Sequence, residues 1–409
     1  MTAARMSERR TSIIGAFLVA LGPISMALYT PAMPELVHAF SSTDSAIKLT
    51  LSVYFAGFAL SQLVSGTMSD VLGRRPTTLL FMAIYLAGSL MSAFAPTVEI
   101  LLAGRLVQGI GASVGMTVAR AIVRDQFTGV EAARIMNMIG MMLAVGPAIS
   151  PTLGGITLSL SGWQAIFFLM VGFALIACVA VYVFMAETTV PDRSKGHIGP
   201  ILRAYRMLGT NARFLSSSLV MAGAVGALYG QATILPFVLI GQVGLTPTQF
   251  GTGMLMQSGF FFAGTVTVRF LMRSMTPAAI VVPGLCFIGI ASLLIAMTSH
   301  LMEPSFLSVM APVGIYAFGI AFVMPYMMTA AMEPFPHIAG SASALMGFIQ
   351  MGAGFIAGVT AAAIGAPLFA FGTVIPVMGL MAILTYLWYR ATCARDARLE
   401  AQIAAQIAE

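Results

Sequence analysis

The chain has 409 residues, of which 59% are hydrophobic and only 8% charged, and its mean hydropathy is +0.95. A water-soluble domain dresses its surface with roughly 25% charged residues, so this composition excludes one and makes lipid the solvent for most of the chain. The net charge of +6 does not describe a nucleic-acid binder either, because Lys and Arg are strung out in short intervals between apolar runs.

A membrane-spanning helix needs about 20 mostly apolar residues. Such runs predict helices at 12–33, 46–67, 77–95, 99–121, 132–158 and 164–186, then at 213–240, 248–271, 277–298, 305–330, 338–363 and 369–390. The first run follows a short basic stretch as in a signal sequence, but further apolar runs follow it directly, so it reads as a retained span. The expected architecture is an all-α membrane protein of twelve spans. A six-helix bundle (1–190) and a second bundle with a short tail (213–409) are joined by a polar linker (191–212). In the linker Ile201, Leu202, Tyr205 and Leu208 recur at helical spacing among Arg203 and Arg206, which fits an interfacial amphipathic helix or a solvated connection equally.

Orientation follows from the excess of Lys and Arg in cytoplasmic loops. With the N-terminus inside, eighteen of the twenty basic residues, Arg5, Arg193 and Lys195 among them, fall on the cytoplasmic side; Lys48 alone falls outside and Arg105 lies within a span. Both termini are then cytoplasmic, in a bacterial-type inner membrane. A monomer in the bilayer is the expected assembly.

Taken in chain order, the polar residues inside spans start with Ser25 and Tyr29, and Glu35 closes the first span. Between the second and third spans stands Gly66-Thr-Met-Ser-Asp70-Val-Leu-Gly73-Arg74-Arg75. Its glycines allow a tight turn, Asp70 can face a helix N-terminus, and the arginines can anchor to headgroups or carboxylates. In the fourth span, Arg105 and Gln108 are three apart and share a helix face, while Gly104, Gly111 and Gly115 leave a smooth stripe for close packing. A guanidinium within hydrocarbon costs at least ~2.5–3.5 kcal/mol. Arg105 therefore either lines a polar cavity, for proton coupling or anion recognition, or snorkels outward past Glu99. The fifth span carries Gly146-Pro147-Ala-Ile-Ser150-Pro151-Thr-Leu-Gly154-Gly155, where proline kinks the helix and glycine permits close approach.

These elements resemble the signatures of the major facilitator superfamily. The 66–75 loop is similar to its G-x-L-a-D-r-x-G-r-k turn, with Met68 and Val71 departing from it. Arg105–Ser113 is similar to R-x-x-Q-G-x-G-a-a, and 146–155 to the antiporter element G-x-x-x-G-P-x-x-G-G, with Ser150 at the central Gly. Leu28–Pro34, Gly73–Pro76, Ala119–Asp125 and Pro334–Ala344 resemble the bicyclomycin/chloramphenicol-resistance (Bcr/CflA) branch. The resemblance covers essentially the whole chain. It implies the major facilitator fold, a 66–75 latch on the cytoplasmic gate, and export of small amphiphilic compounds in exchange for protons. The branch's Asp two residues before Tyr29 is replaced by Ala27, and all fourteen acidic residues fall at span ends, in loops or in tails. Proton coupling then rests on Arg105 with Glu35 or Glu99; otherwise Arg105 attracts an organic anion in an uncoupled facilitator or importer. Tyr29, Tyr54, Gln62, Gln108, Asn137, Gln231, Gln257, Tyr316 and Gln350 are the candidates for the substrate cavity, an adaptable site of amides and aromatics. No phosphate-binding loop and no Cys/His cluster of metal spacing is present, so the expectation is a transporter without cofactor or metal, not an enzyme.

Overall fold

The computed structural model describes residues 6–192 and 198–408; Arg5, Arg193 and Lys195 lie outside the described residues. All regular structure among them is helical. Span 1 is α1 (Glu8–Tyr29), a 3-10 turn (Thr30–Ala32) and α2 (Met33–Ala39); spans 2 and 3 are α3 (Asp44–Leu72) and α4 (Arg74–Ala93). Span 4 is α5 (Val98–Ala112) with α6 (Val114–Gln126), followed by α7 (Gly129–Phe184) and the short α8 (Ile198–Thr210). Span 7 comprises α9 (Ala212–Ala224), α10 (Gly226–Pro236) and a π-helical turn (Phe237–Gln242). Spans 8 to 12 are α11 (Pro247–Leu271), α12 (Pro277–Leu301), α13 (Phe306–Met332), α14 (Ala339–Ile364) and α15 (Pro367–Ala408).

Among the described residues, eleven helical stretches are long and apolar enough to cross a membrane, and α7 supplies two crossings. Its 56 residues would run roughly 84 Å if straight, against a hydrocarbon core of about 30 Å. The break is at Gly162, where φ 76° and ψ 177° leave helical space, a conformation open to glycine at little cost. The arms of α7 on either side of it are spans 5 and 6. Twelve crossings bring both ends of the chain to one membrane face, here the terminal face; the other is the far face.

The two six-helix halves meet along two seams, α3 against α14 and the first arm of α7 against α11. Along the first, Ser45 Oγ donates to the Ala362 carbonyl (2.7 Å) and Lys48 Nζ to that of Gly365 (3.0 Å) at the far end. Gly358 sits where a Cβ would strike Ser52, and Gly347 where one would strike Gln62. At the terminal end, Arg120 donates to Ser343 Oγ. The second seam is tight only at the far end: a Cβ on Gly155 would collide with the Pro247 carbonyl and one on Gly251 with that of Pro151. Ser159 Oγ lies 3.2 Å from Thr248 Oγ1 there. Nearer the terminal face, Gly140 and Gly259 have open space where a Cβ would stand. The halves are thus in close contact along both seams at the far face.

Residues 198–210 form a helix rather than a plain connection. Its Leu208 is buried while Leu202 is exposed, and Tyr205 Oη donates to the Leu63 carbonyl at 2.6 Å. Burial pushes the Tyr205 phenol up to about 12, so it remains a donor at physiological pH.

Candidate substrate and coupling site

Span 4 is the centre of the first half because its glycines let it touch three neighbours. A Cβ at Gly109 would strike Tyr54 of α3, one at Gly111 Tyr85 of α4, and one at Gly115 the Leu18 carbonyl of α1. That approach brings Arg105 fully inside the bundle. Its guanidinium carbon lies 4.3 Å from the ring centre of Tyr29 and 4.4 Å from that of Tyr54, and Nη1 donates to Gln108 Oε1. Gln108 Nε2 in turn donates to Ser89 Oγ (2.7 Å) and contacts Met170 Sδ (3.3 Å). The rings are themselves fixed: Tyr29 Oη bonds Thr50 Oγ1, Tyr54 Oη donates 3.0 Å to the Gly22 carbonyl, and Ser25 Oγ bonds Tyr85 Oη.

Arg105 therefore does not snorkel to an interface. Its charge faces two aromatic rings, an arrangement worth about 2 kcal/mol when desolvated, and Nε and Nη2 have no hydrogen-bond partner. In this conformation the side chain is packed among rings and amides. Two hollows, of about 420 Å³ around Met6, Glu8 and Glu131 and about 340 Å³ around Tyr326, Tyr389 and Arg390, lie near the terminal face. Tyr85, Ser89 and Thr50 were missed from sequence. Tyr85 had a signal, a phenol in the middle of a span; Ser89 and Thr50 look like any hydroxyl bonding its own helix.

Glu35, expected near the depth of the span, is exposed on α2, and Glu99 is exposed in the first turn of α5; neither joins the Arg105 cluster in this conformation. In the second half, Gln257 Nε2 donates 2.7 Å to Gln231 Oε1, and Gln231 Nε2 is buried without a partner. Tyr316 Oη donates 2.8 Å to the Gly223 carbonyl, as Tyr54 Oη does to that of Gly22 in the first half. Gln62 lies on the first seam with Oε1 unpaired, Gln350 is half-buried, and Asn137 is exposed.

The 66–75 turn is a charge hub. Arg74 is buried and grips Asp125 with Nε (2.9 Å) and Nη2 (3.3 Å) while pairing with Asp70 and bonding Ser69 Oγ. The Glu187 carboxylate accepts from the backbone N–H groups of Arg74 (2.9 Å) and Arg75 (3.1 Å). Gly73 has φ +100°, and a Cβ there would lie 2.6 Å from Glu187 Oε2. Gly66, by contrast, has open space around it. These bonds tie α3, α4, α6 and the segment just past α7 together within the first half. The pairings 52 with 358 and 62 with 347 set a register that brings Asp70 level with residues 339–340, where α14 begins.

In the 146–155 stretch, Pro147 and Pro151 lie inside α7, and Ser150 Oγ bonds back to the Gly146 carbonyl (2.6 Å). Gly146 faces Ile24, Gly154 the Leu28 carbonyl, and Gly155 the start of α11. This stretch thus lies between span 1 and the opposite half.

Residues 13–359 match the family model described as Major Facilitator Superfamily. The chain belongs to this superfamily. This superfamily member is 26% identical over 380 residues to Multidrug resistance protein D of Escherichia coli (strain K12), covering 90% of this chain and 93% of the relative. It is 30% identical over 331 residues to Chloramphenicol resistance protein of Pseudomonas aeruginosa, covering 80% and 77%. Among solved structures, the D-xylose-proton symporter superposes with a TM-score of 0.71 over 93% of this chain and 97% of that one, at 14% identity. That likeness is one of fold. The superfamily assignment makes the chain a multi-pass membrane transporter.

Proposed function

We propose that this transporter exports small amphiphilic compounds, drugs or metabolites, in exchange for protons, by alternating access across a bacterial-type inner membrane with the terminal face cytoplasmic. The observation that carries the reading is the geometry of the seams: two halves locked by glycine-to-backbone contacts at the far face, with open space at Gly140 and Gly259 nearer the terminal face. Rocking of paired halves about a central site is how repeat-built transporters work. The names of the relatives, the drug-exporter resemblance of 146–155 and the Bcr/CflA motifs support drug-like cargo. The lining we assign is Tyr29, Tyr54, Gln108, Gln62, Asn137, Gln231, Gln257, Tyr316 and Gln350, and the 66–75 turn is the terminal-face latch.

A guanidinium holds its proton throughout the physiological range, so Arg105 acts as the fixed charge and Glu35 or Glu99 as the group that titrates. Both carboxylates are exposed here, so coupling requires a second conformation that carries one toward Arg105. The unpartnered Nε and Nη2 of Arg105 favour a second reading, an uncoupled carrier of organic anions held by that residue.

The deciding experiment is a thermal-shift ligand screen, in which a binder stabilises the folded state by mass action, followed by proton flux in proteoliposomes for each hit. The first reading expects amphiphile-dependent proton movement that is lost in Glu35→Gln or Glu99→Gln. Transport indifferent to an uncoupler, with binding abolished in Arg105→Ala, supports the anion carrier instead.

A further inference from the structure

Lys48 is the one basic residue that the charge count leaves at the far face, and it is fully buried near the start of α3. Its Nζ donates 3.0 Å to the Gly365 carbonyl and stands 5.1 Å above the ring of Phe237. Gly365 is the residue at which α14 ends, turned out of the helix by a φ of +78°. One turn earlier on α3, Ser45 Oγ donates 2.7 Å to the carbonyl of Ala362. The opening turn of a helix in one half thus supplies two donors to the last carbonyls of a helix in the other, groups that lack partners within their own helix. The ammonium also sits at the negative end of the α14 dipole. Phe237 comes from span 7 yet packs into the core of the first half with Leu51, Tyr54 and Phe55. Spans 2, 7 and 11 converge on a single charge.

A buried ammonium is tolerated only while its partners stay in place. Parting the halves at the far face breaks the carbonyl bond and the ring contact together and releases the ammonium to water, which hydrates it strongly. Clasped and hydrated are both well-solvated states; a half-open gate leaves the charge with only the Asp44 carboxylate, one turn earlier on α3. A group of this kind makes the gate two-state. We propose that Lys48, seconded by Ser45 and Phe237, is the latch of the far-side gate, a positioning residue that sets how long the substrate pathway faces the terminal side. The inference rests on the alternating-access reading above.

The test uses the full chain in nanodiscs, with Cys178, Cys286 and Cys393 replaced by serine. Ser52→Cys reports far-side opening through its rate of maleimide labelling, since Ser52 is buried against Gly358. Spin labels at Arg134→Cys on α7 and Arg273→Cys, in the turn just past α11, report the separation of those helices at the terminal face. Lys48→Met, which keeps the stem and removes the charge, is expected to raise labelling about tenfold or more and to shorten the terminal distance. Ser45→Ala and Phe237→Leu should each raise labelling about threefold, in keeping with the loss of one neutral contact. If Lys48→Met fails to give monodisperse protein, these two milder variants carry the test. Labelling unchanged in every variant that folds overturns the latch. Labelling that rises with no change at the terminal face keeps the latch and overturns alternating access, so the two failures are distinguishable.

Discussion

At the scale of single residues, the first half is organised around two buried guanidinium groups satisfied in opposite ways. Arg74 faces carboxylates; Arg105 faces rings. Removing one partner of a buried pair leaves the other charge uncompensated, at a cost of about 3–5 kcal/mol. Arg74→Ala, which strands Asp125 and Asp70, is therefore expected to lower unfolding stability by about that amount in a detergent melt. At the other site the ring, not the hydroxyl, is the partner. Tyr54→Phe forfeits only the bond to Gly22, about 0.5–1.5 kcal/mol, whereas Tyr54→Leu also loses the ring face, about 2 kcal/mol more. Equal losses in the two variants would mean that the ring contact contributes nothing. The three-residue spacing of Arg105 and Gln108 was legible in the sequence because a helix enforces it. The rings across from them were not, since pairing between α5, α1 and α3 is a matter of tertiary packing. Tyr54 and Tyr29 were singled out as polar groups in spans, without any sign that they face the same charge.

At the scale of the helix, the glycines divide into those that touch a neighbouring backbone and those that do not. Gly155 stands against Pro247, where any side chain must push the halves apart, while Gly140 on the same helix has open space. Gly155→Val should abolish transport and lower the melting temperature. Gly140→Ala should be neutral or stabilise by about 0.5–1 kcal/mol through helix propensity. The sequence pattern marks 146–155 as a close-packing stretch but is silent on its partner, because proximity of α7 to α11 is set by the other half of the chain. Span positions were legible to within a few residues at most ends, since lipid imposes one length on every crossing. The exceptions have local causes: span 1 runs on through α2, α15 continues well past the membrane as a charged helix, and a single glycine separates spans 5 and 6 where a longer loop was expected.

At the scale of the whole molecule, the seams say what must move for cargo to cross. With the far end of α7's first arm in backbone contact with the start of α11, opening the far face requires those two to separate. Ser159 Oγ and Thr248 Oγ1 lie 3.2 Å apart across that junction, so cysteines at both positions are within reach of a disulfide with little adjustment. The double variant Ser159→Cys/Thr248→Cys should transport a hit from the ligand screen when reduced, stop when oxidised, and recover with dithiothreitol, while each single variant stays active under oxidant. Arrest follows because a rigid-body rock cannot proceed with one far end tethered. Undiminished transport in fully oxidised protein would make this junction a pivot about which the halves turn, and would move the far-side gate to the α3–α14 seam alone.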